Sequence, residues 1–293
     1  MIWAISVRRI YRFDESLKHY NRYLDLDPFS DNVWYNMGIV YHKLERFNRT
    51  VEAYEYSIAI NPDYASAYFN KASVWVQAGK YPKAVEAYKE YLLVDPESTQ
   101  AYCYLGDCYE QMGRLQEALE SFQKVIELDN TDPEGWFGAG VILHRLGRYP
   151  EAIAYLLKAI DFENTNLDYW LNLGYVNEDA GMVEEAIKCY RYVCNAEAGD
   201  LDAWLALTGL LIREGRYAES RDLLREAFVS LPGEAPLMMR LAVCHLKLGD
   251  SKLALGFLKD ALQAEPDIRE GFLAFVPMED LDKRFQELLS KEP

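Results

Sequence analysis

Paired cysteines are missing from this chain. Five Cys among 293 residues is an odd count, which argues against a complete disulfide framework. Cys103 and Cys108 stand five apart, as do Cys189 and Cys194. On a helix that spacing turns the two side chains to different faces, so neither pair makes a chelate. Reduced structural thiols in a cytoplasmic compartment fit this usage. Positive charge is also short: 31 Lys and Arg against 47 Asp and Glu leave a net charge of −16. The chain as a whole is therefore not expected to grip nucleic acid or an anionic membrane. Long hydrophobic runs are absent, and none reaches the ~18 apolar residues of a membrane helix. The opening "MIWAISVRRIYR" places a short apolar run before basic residues, the reverse of a secretory signal. The expectation is a cytoplasmic chain without a membrane span.

Apolar residues, in contrast, are plentiful. Half the chain is hydrophobic and 22 residues are Tyr, too apolar for a disordered protein and enough for a large core. These residues keep a fixed beat. Pro28, Pro62 and Pro96 lie 34 apart, and the same step reaches Asn130, Asn164, Ala198, Pro232 and Pro266 without insertion or deletion. A large residue recurs at Trp34, Tyr68, Tyr102, Trp136, Trp170, Trp204 and Met238, with a small one four later, from Gly38 to Ala242. Glycines from Gly79 to Gly249 mark a turn in mid-unit. A small residue follows each (Ala84 to Ala254), then a bulky one (Tyr88 to Leu258). Each unit reads as two helices around a tight turn. The small residues let the helices approach and the bulky ones fill the gaps. Gly at the turn takes a positive φ and ends the first helix. Pro or Asn ends the second.

The stretch "WYNMGIVYHKLERFNRTVEAYEYSIAINP" (34–62) carries the whole pattern and resembles the tetratricopeptide repeat, with one departure, Glu45, where other units have the turn Gly. The resemblance covers nearly the whole chain. It divides into a truncated first repeat (1–30), seven complete 34-residue helix-pair repeats (31–268), and a C-terminal capping helical segment (269–293) with Pro277 inside its would-be first helix. It implies an all-α fold, a right-handed superhelical solenoid of antiparallel helix pairs, with the first helix of each pair lining a concave groove. Such pairs bury their apolar faces only by stacking, and the ends of a stack need covering. The amphipathic tail "LDKRFQELLSKEP" suits that task at one end. Met1 falls inside the first helix of its repeat, so preceding repeats or a covering partner are expected at the other.

Helical spacing then selects the groove positions. The residue two before the small one faces the groove: Asn36, Asn70, Tyr104, Gly138, Asn172, Ala206 and Arg240. In similar repeat proteins that bind extended peptides, an Asn here hydrogen-bonds the ligand backbone, since an amide both donates and accepts. The competing reading is an Asn tolerated on a wet helix face. One residue earlier runs an apolar line that includes Tyr35, Phe69 and Phe137, divided between core and anchors for a partner. Three residues after the Asn positions stand Asp107 and Tyr175 among others. Acidic residues gather in mid-chain, and basic ones (Arg8, Arg9, His42, Lys43) near the start. The expected peptide-binding set is Tyr35, Asn36, Phe69, Asn70, Tyr104, Asp107, Phe137, Asn172 and Tyr175. Its partner would be a protein or peptide with apolar anchors and some positive charge. The two-carboxylate clamp of chaperone-tail binders is not expected, because the positions of its Lys and Arg hold Tyr35, Gln100 and Tyr104.

Catalysis is not foreseen. His42 and His144 share a repeat position three units apart, and His245 takes the place of a core aromatic. "GWFGAG" (135–140) has no preceding strand and sits in a repeat helix, so it is no phosphate loop. No catalytic residue, metal or cofactor is expected. The expected function is a non-catalytic protein–protein interaction scaffold that binds a peptide or helix in its groove. Two alternatives stand beside it. One is the regulatory or substrate-recruiting region of a larger enzyme. The other is a self-assembling structural protein, a homo-oligomer through an open N-terminal end.

Overall fold

The computed structural model describes residues 2–290, with side chains from Arg12 onward. The basic side chains expected at Arg8 and Arg9 lie outside the described residues, as do Met1 and the last three residues of the expected cap. Regular structure among the described residues is helical throughout, and the chain divides into two compact units, residues 1–148 and 149–293. The first contains α1 (Ile2–Leu24), α2 (Asp31–Lys43), α3 (Phe47–Ile60), α4 (Ala65–Gln77), α5 (Tyr81–Val94), α6 (Thr99–Gln111), α7 (Leu115–Leu128) and α8 (Pro133–Arg145). The second contains α9 (Tyr149–Phe162), α10 (Leu167–Asp179), α11 (Val183–Ala196), α12 (Leu201–Arg213), α13 (Tyr217–Ser230), α14 (Ala235–Lys247), α15 (Ser251–Ala264), α16 (Ile268–Phe275) and α17 (Lys283–Leu289). First helices of the pairs have 13 residues and second helices 14, as in α2 and α3 or α12 and α13.

The turns inside the pairs share one closure. Lys80 N–H donates to Trp75 O and Arg114 N–H to Tyr109 O, both at 2.8 Å, each over a Gly in the left-handed region (φ 66 for Gly79, 71 for Gly113). That hydrogen bond satisfies a carbonyl left open at the helix end. Between α2 and α3 the same bond forms, Arg46 N–H to Tyr41 O at 2.9 Å, but over Glu45 with φ 56. The second helices end as their sequence dictates. Asn61 caps α3 in an extended conformation (φ −128, ψ 91) because the following Pro62 disfavours the helical region.

Packing follows the small and large beat. Tyr54, Tyr88 and Tyr190 are fully buried. A Cβ added to Gly174 would stand 2.4 Å from the Tyr190 ring, so the α10–α11 crossing requires glycine there. The large residue that opens the first helix does more than fill space. Trp34 Nε1 donates to Pro28 O at 3.1 Å, Trp136 to Asn130 O at 2.9 Å, Trp170 to Asn164 O at 3.0 Å and Trp204 to Ala198 O at 3.0 Å. Each Trp ties a new helix to the residue that stops the previous one. At the C-terminal end α16 stops at Phe275, two residues before Pro277. Phe272, Val276, Leu281, Phe285 and Leu289 then bury themselves in the core built by α11 to α15.

Candidate binding groove

Seven of the nine expected site residues lie in the first unit and two in the second. In the first unit Tyr35 and Asn36 sit on α2, Phe69 and Asn70 on α4, Tyr104 and Asp107 on α6, and Phe137 on α8. Tyr35, Asn36, Phe69, Asn70 and Phe137 are half-buried, while Tyr104 and Asp107 are exposed. Neighbouring first helices are joined along this face. Asn70 Nδ2 donates to Tyr35 Oη at 3.0 Å, and His42 Nε2 meets Gln77 Oε1 at 2.6 Å. The Phe69 ring stands edge-on to Tyr104 at 5.6 Å, and Tyr104 stacks on the buried Tyr88 at 5.7 Å. Tyr35 packs against Tyr54 at 5.7 Å and Tyr64 at 4.8 Å. Asn70 is thus held in a rigid aromatic setting, and its bond to Tyr35 spends one of its two amide hydrogens.

Acid gathers on α6 and α8. The Asp107 carboxyl is raised to about 6, first by loss of surrounding water, then by the neighbouring charges of Glu110 and Glu134. Glu110 is answered by Arg145 at 2.7 Å. The half-buried Cys103 thiol beside them is pushed up to about 12, by burial and then by Asp132, Asp107 and Glu134, so it stays protonated and unreactive at neutral pH.

In the second unit Asn172 is half-buried on α10, where its Nδ2 donates to Asp168 O of its own helix at 2.8 Å. Tyr175 lies one turn on, its ring 5.6 Å from Tyr190. A hollow of about 300 Å³ opens beside it, lined also by Glu178, Asp202, Leu205, Arg213 and Arg240. Arg213 pairs with Glu178, which also accepts from Tyr190 Oη at 2.9 Å. Arg240 donates to Leu205 O and, at 3.0 Å, to Thr208 Oγ1. Burial, with Arg213 nearby, pulls its pKa down to about 10.

The expected set missed Arg240, although it is the single cation among the seven groove positions of its kind. It also missed the links between first helices. Tyr35 with Asn70, His42 with Gln77, Glu110 with Arg145, and Glu178 with Arg213 are each 35 residues apart, one repeat plus one residue. The residue types were present in the sequence, but the 35-residue offset that pairs them is set by the packing of adjacent first helices. No group of three or more His, Cys, Asp or Glu able to hold a metal occurs among the described residues, and no described helix is long and apolar enough to cross a membrane.

Family profiles described as Tetratricopeptide repeat match residues 32–64, 69–133, 109–174, 167–198 and 211–270. No curated protein matches the sequence. Similar solved structures include the C-terminal part of a TPR repeat-containing protein from Cytophaga hutchinsonii, 15% identical over 83% of this chain and 99% of that one, with a TM-score of 0.67. A tetratricopeptide repeat protein from Parabacteroides merdae is 14% identical over 84% of this chain and 98% of its own, with a TM-score of 0.61. YrrB, described as a TPR protein with an unusual peptide-binding site, is 22% identical over 62% of this chain and 94% of its own, with a TM-score of 0.52.

Proposed function

Because this chain belongs to the tetratricopeptide-repeat family, we propose that it is a non-catalytic protein-interaction scaffold that holds an extended peptide segment along the first helices of its pairs. The observation that carries this reading is the Tyr35–Asn70 and Phe69–Tyr104 group on α2, α4 and α6. Rigid aromatic rings beside an amide offer apolar contact at little entropic loss, together with an amide carbonyl for a peptide backbone. Asn36 and Phe137 extend the same face, and Asn172 with Tyr175 is a separate candidate contact within the second unit. The peptide site named for YrrB supports the ligand class. Asp107, Glu110 and Glu134 favour a segment with basic residues between its apolar anchors.

The test is an anisotropy titration with a labelled extended peptide that alternates Leu or Phe with Lys. Asn70→Ala and Tyr104→Ala are each expected to weaken binding about fivefold, the worth of roughly 1 kcal/mol for each interaction removed. An Asp107→Asn variant should weaken the Lys-bearing peptide but not a Gln-bearing one. Unchanged affinity in both Asn70→Ala and Tyr104→Ala, with melting curves as wild type, sets the reading aside.

A further inference from the structure

The cations of the first unit are unevenly answered. Residues 1–89 carry 12 Lys and Arg against 10 Asp and Glu, while residues 90–293 carry 19 against 37. In so acidic a chain most Arg and Lys beyond residue 90 should find a carboxylate, and the pattern bears this out. Arg114 pairs with Glu117, Lys124 with Glu127, Arg145 with Glu110 and Arg213 with Glu178. The turn edge of α2–α3 and α4–α5 behaves differently. Arg49, Lys80 and Lys83 have no carboxylate within ion-pair reach among the described residues. Their neighbours are rings instead. Arg49 lies over Tyr41 at 5.8 Å, and Lys80 and Lys83 lie over Trp75 at 5.1 and 4.6 Å. A fourth cation, Arg46, reaches Asp14 only at 3.6 Å across two exposed side chains, an arrangement worth little.

Three of these cations, Arg46, Arg49 and Lys80, line a built depression. A hollow of about 450 Å³ is lined by Arg46, Phe47, Asn48, Arg49 and Lys80, with Ala78 in its wall and Glu45 as its one carboxylate. Cation–π contact holds the ammonium and guanidinium groups in place without neutralising them. Holding several cations close together without counter-charge is unfavourable and is relieved by an anion that spans them. The groove carboxylate Asp107, with acidic neighbours and no ion pair among the described residues, makes the opposite demand, so the two surfaces select partners of opposite sign.

We propose that the turn edge joining α2–α3 to α4–α5, with Arg46, Arg49 and Lys80 around its hollow and Lys83 sharing the Trp75 ring with Lys80, is a docking site for an acidic peptide segment of a partner protein. A segment rich in Asp and Glu matches the site in sign and in extent. Several carboxylates in extended chain can meet two adjacent turns at once, and Phe47 and Trp75 give the segment apolar contact between them. The site is separate from the groove, so groove and edge act on different segments, and the loss of either leaves the other.

The test uses the full chain and a fluorescein-labelled oligoglutamate peptide, read by anisotropy at low and physiological salt. Wild type is expected to bind and to weaken steeply as salt rises, since exposed charges are screened within about 8 Å at physiological strength. The triple variant Arg49→Glu, Lys80→Glu, Lys83→Glu should weaken binding more than about tenfold. Arg49→Gln alone should weaken it by a smaller factor, and reads the site if the triple variant melts early. Asn70→Ala, in the groove, and Lys259→Glu, on the exposed face of α15, should leave it unchanged. The proposal fails if wild type does not bind the peptide, if oligoglutamine binds equally, if the edge variants keep full affinity, or if Lys259→Glu lowers affinity as much as they do.

Discussion

At the scale of the residue, Asp107 shows how a groove changes a side chain that water still reaches. Its carboxyl sits near Glu110 and Glu134, and lost hydration with like charge raises it to about 6. The folded chain therefore holds that proton more tightly than the unfolded chain. The resulting stability is fully present below the ordinary carboxylate range and is lost as pH rises through about 6. Asp107→Asn should raise the melting temperature at about pH 8 and leave it nearly unchanged at about pH 3, where the carboxyl is protonated folded and largely so unfolded. Equal shifts at both pH values would contradict this account. His245 has the opposite sign. It is buried and stacked on Phe257 at 5.6 Å, and its Nε2 has no partner. Burial, then Arg225, pulls its pKa down. The unfolded chain takes up this proton first, so stability holds above the ordinary imidazole range and falls as pH drops through it. His245→Phe is expected to flatten the loss between about pH 7 and pH 5, measured by urea titration at each pH. The place of His245 in the core was legible because it occupies an aromatic position of the repeat. The occupation of Asn70 by Tyr35 was not, because it depends on which rotamers two helices present to each other.

At the scale of the element, the period of 34 was legible because each pair meets its neighbours through the same contact, and one contact needs one set of residues. The turn at Glu45 tests that logic. Its neighbours in the series use Gly at φ between 66 and 87, and Glu45 takes φ 56 against the steric preference of an L residue, a strain of about 1 kcal/mol. Glu45→Gly should therefore stabilise the α2–α3 pair by up to about 1 kcal/mol, less the added entropy of the unfolded chain. Chemical denaturation followed through α2 and α3 would detect it, and a loss of stability would show that Glu45 has a favourable contact that outweighs its strain. The links at 35 residues stayed hidden for a geometric reason. A 34-residue repeat aligns equivalent positions, whereas the offset between adjacent first helices decides which unlike positions touch. That offset is set by packing and is not written in any one repeat. The end of the array is similar: Pro277 announced that α16 must stop, but not that Phe285 and Leu289 would return to the core.

At the scale of the whole molecule, helix pairs that contact only their neighbours make stability local. In the second unit, buried residues from Ala186 to Leu289 form one large connected cluster. Leu207, Leu211, Leu237 and Leu258 are fully buried within it. Smaller clusters hold the start of the first unit, such as that of Leu17, Leu24, Met37, Val40 and Ala53 beneath α1 and α2. A large connected core must open together, while a small one exposes little apolar surface when it opens and so opens more often. Native-state hydrogen exchange should consequently find the slowest amides in α12 and α14 and progressively faster exchange toward α2 and α1. Urea unfolding should depart from two-state behaviour, with Trp34 and Trp75 reporting loss of structure before Trp204. Truncating Phe285 to Ala, which removes a fully buried ring from the covered end, should cost about 3–5 kcal/mol and raise exchange in α14 and α16 first. If all helices instead exchange at one common rate, and Trp204 and Trp34 unfold in a single transition before and after that truncation, the chain folds as one cooperative body, and the local picture of its stability is wrong.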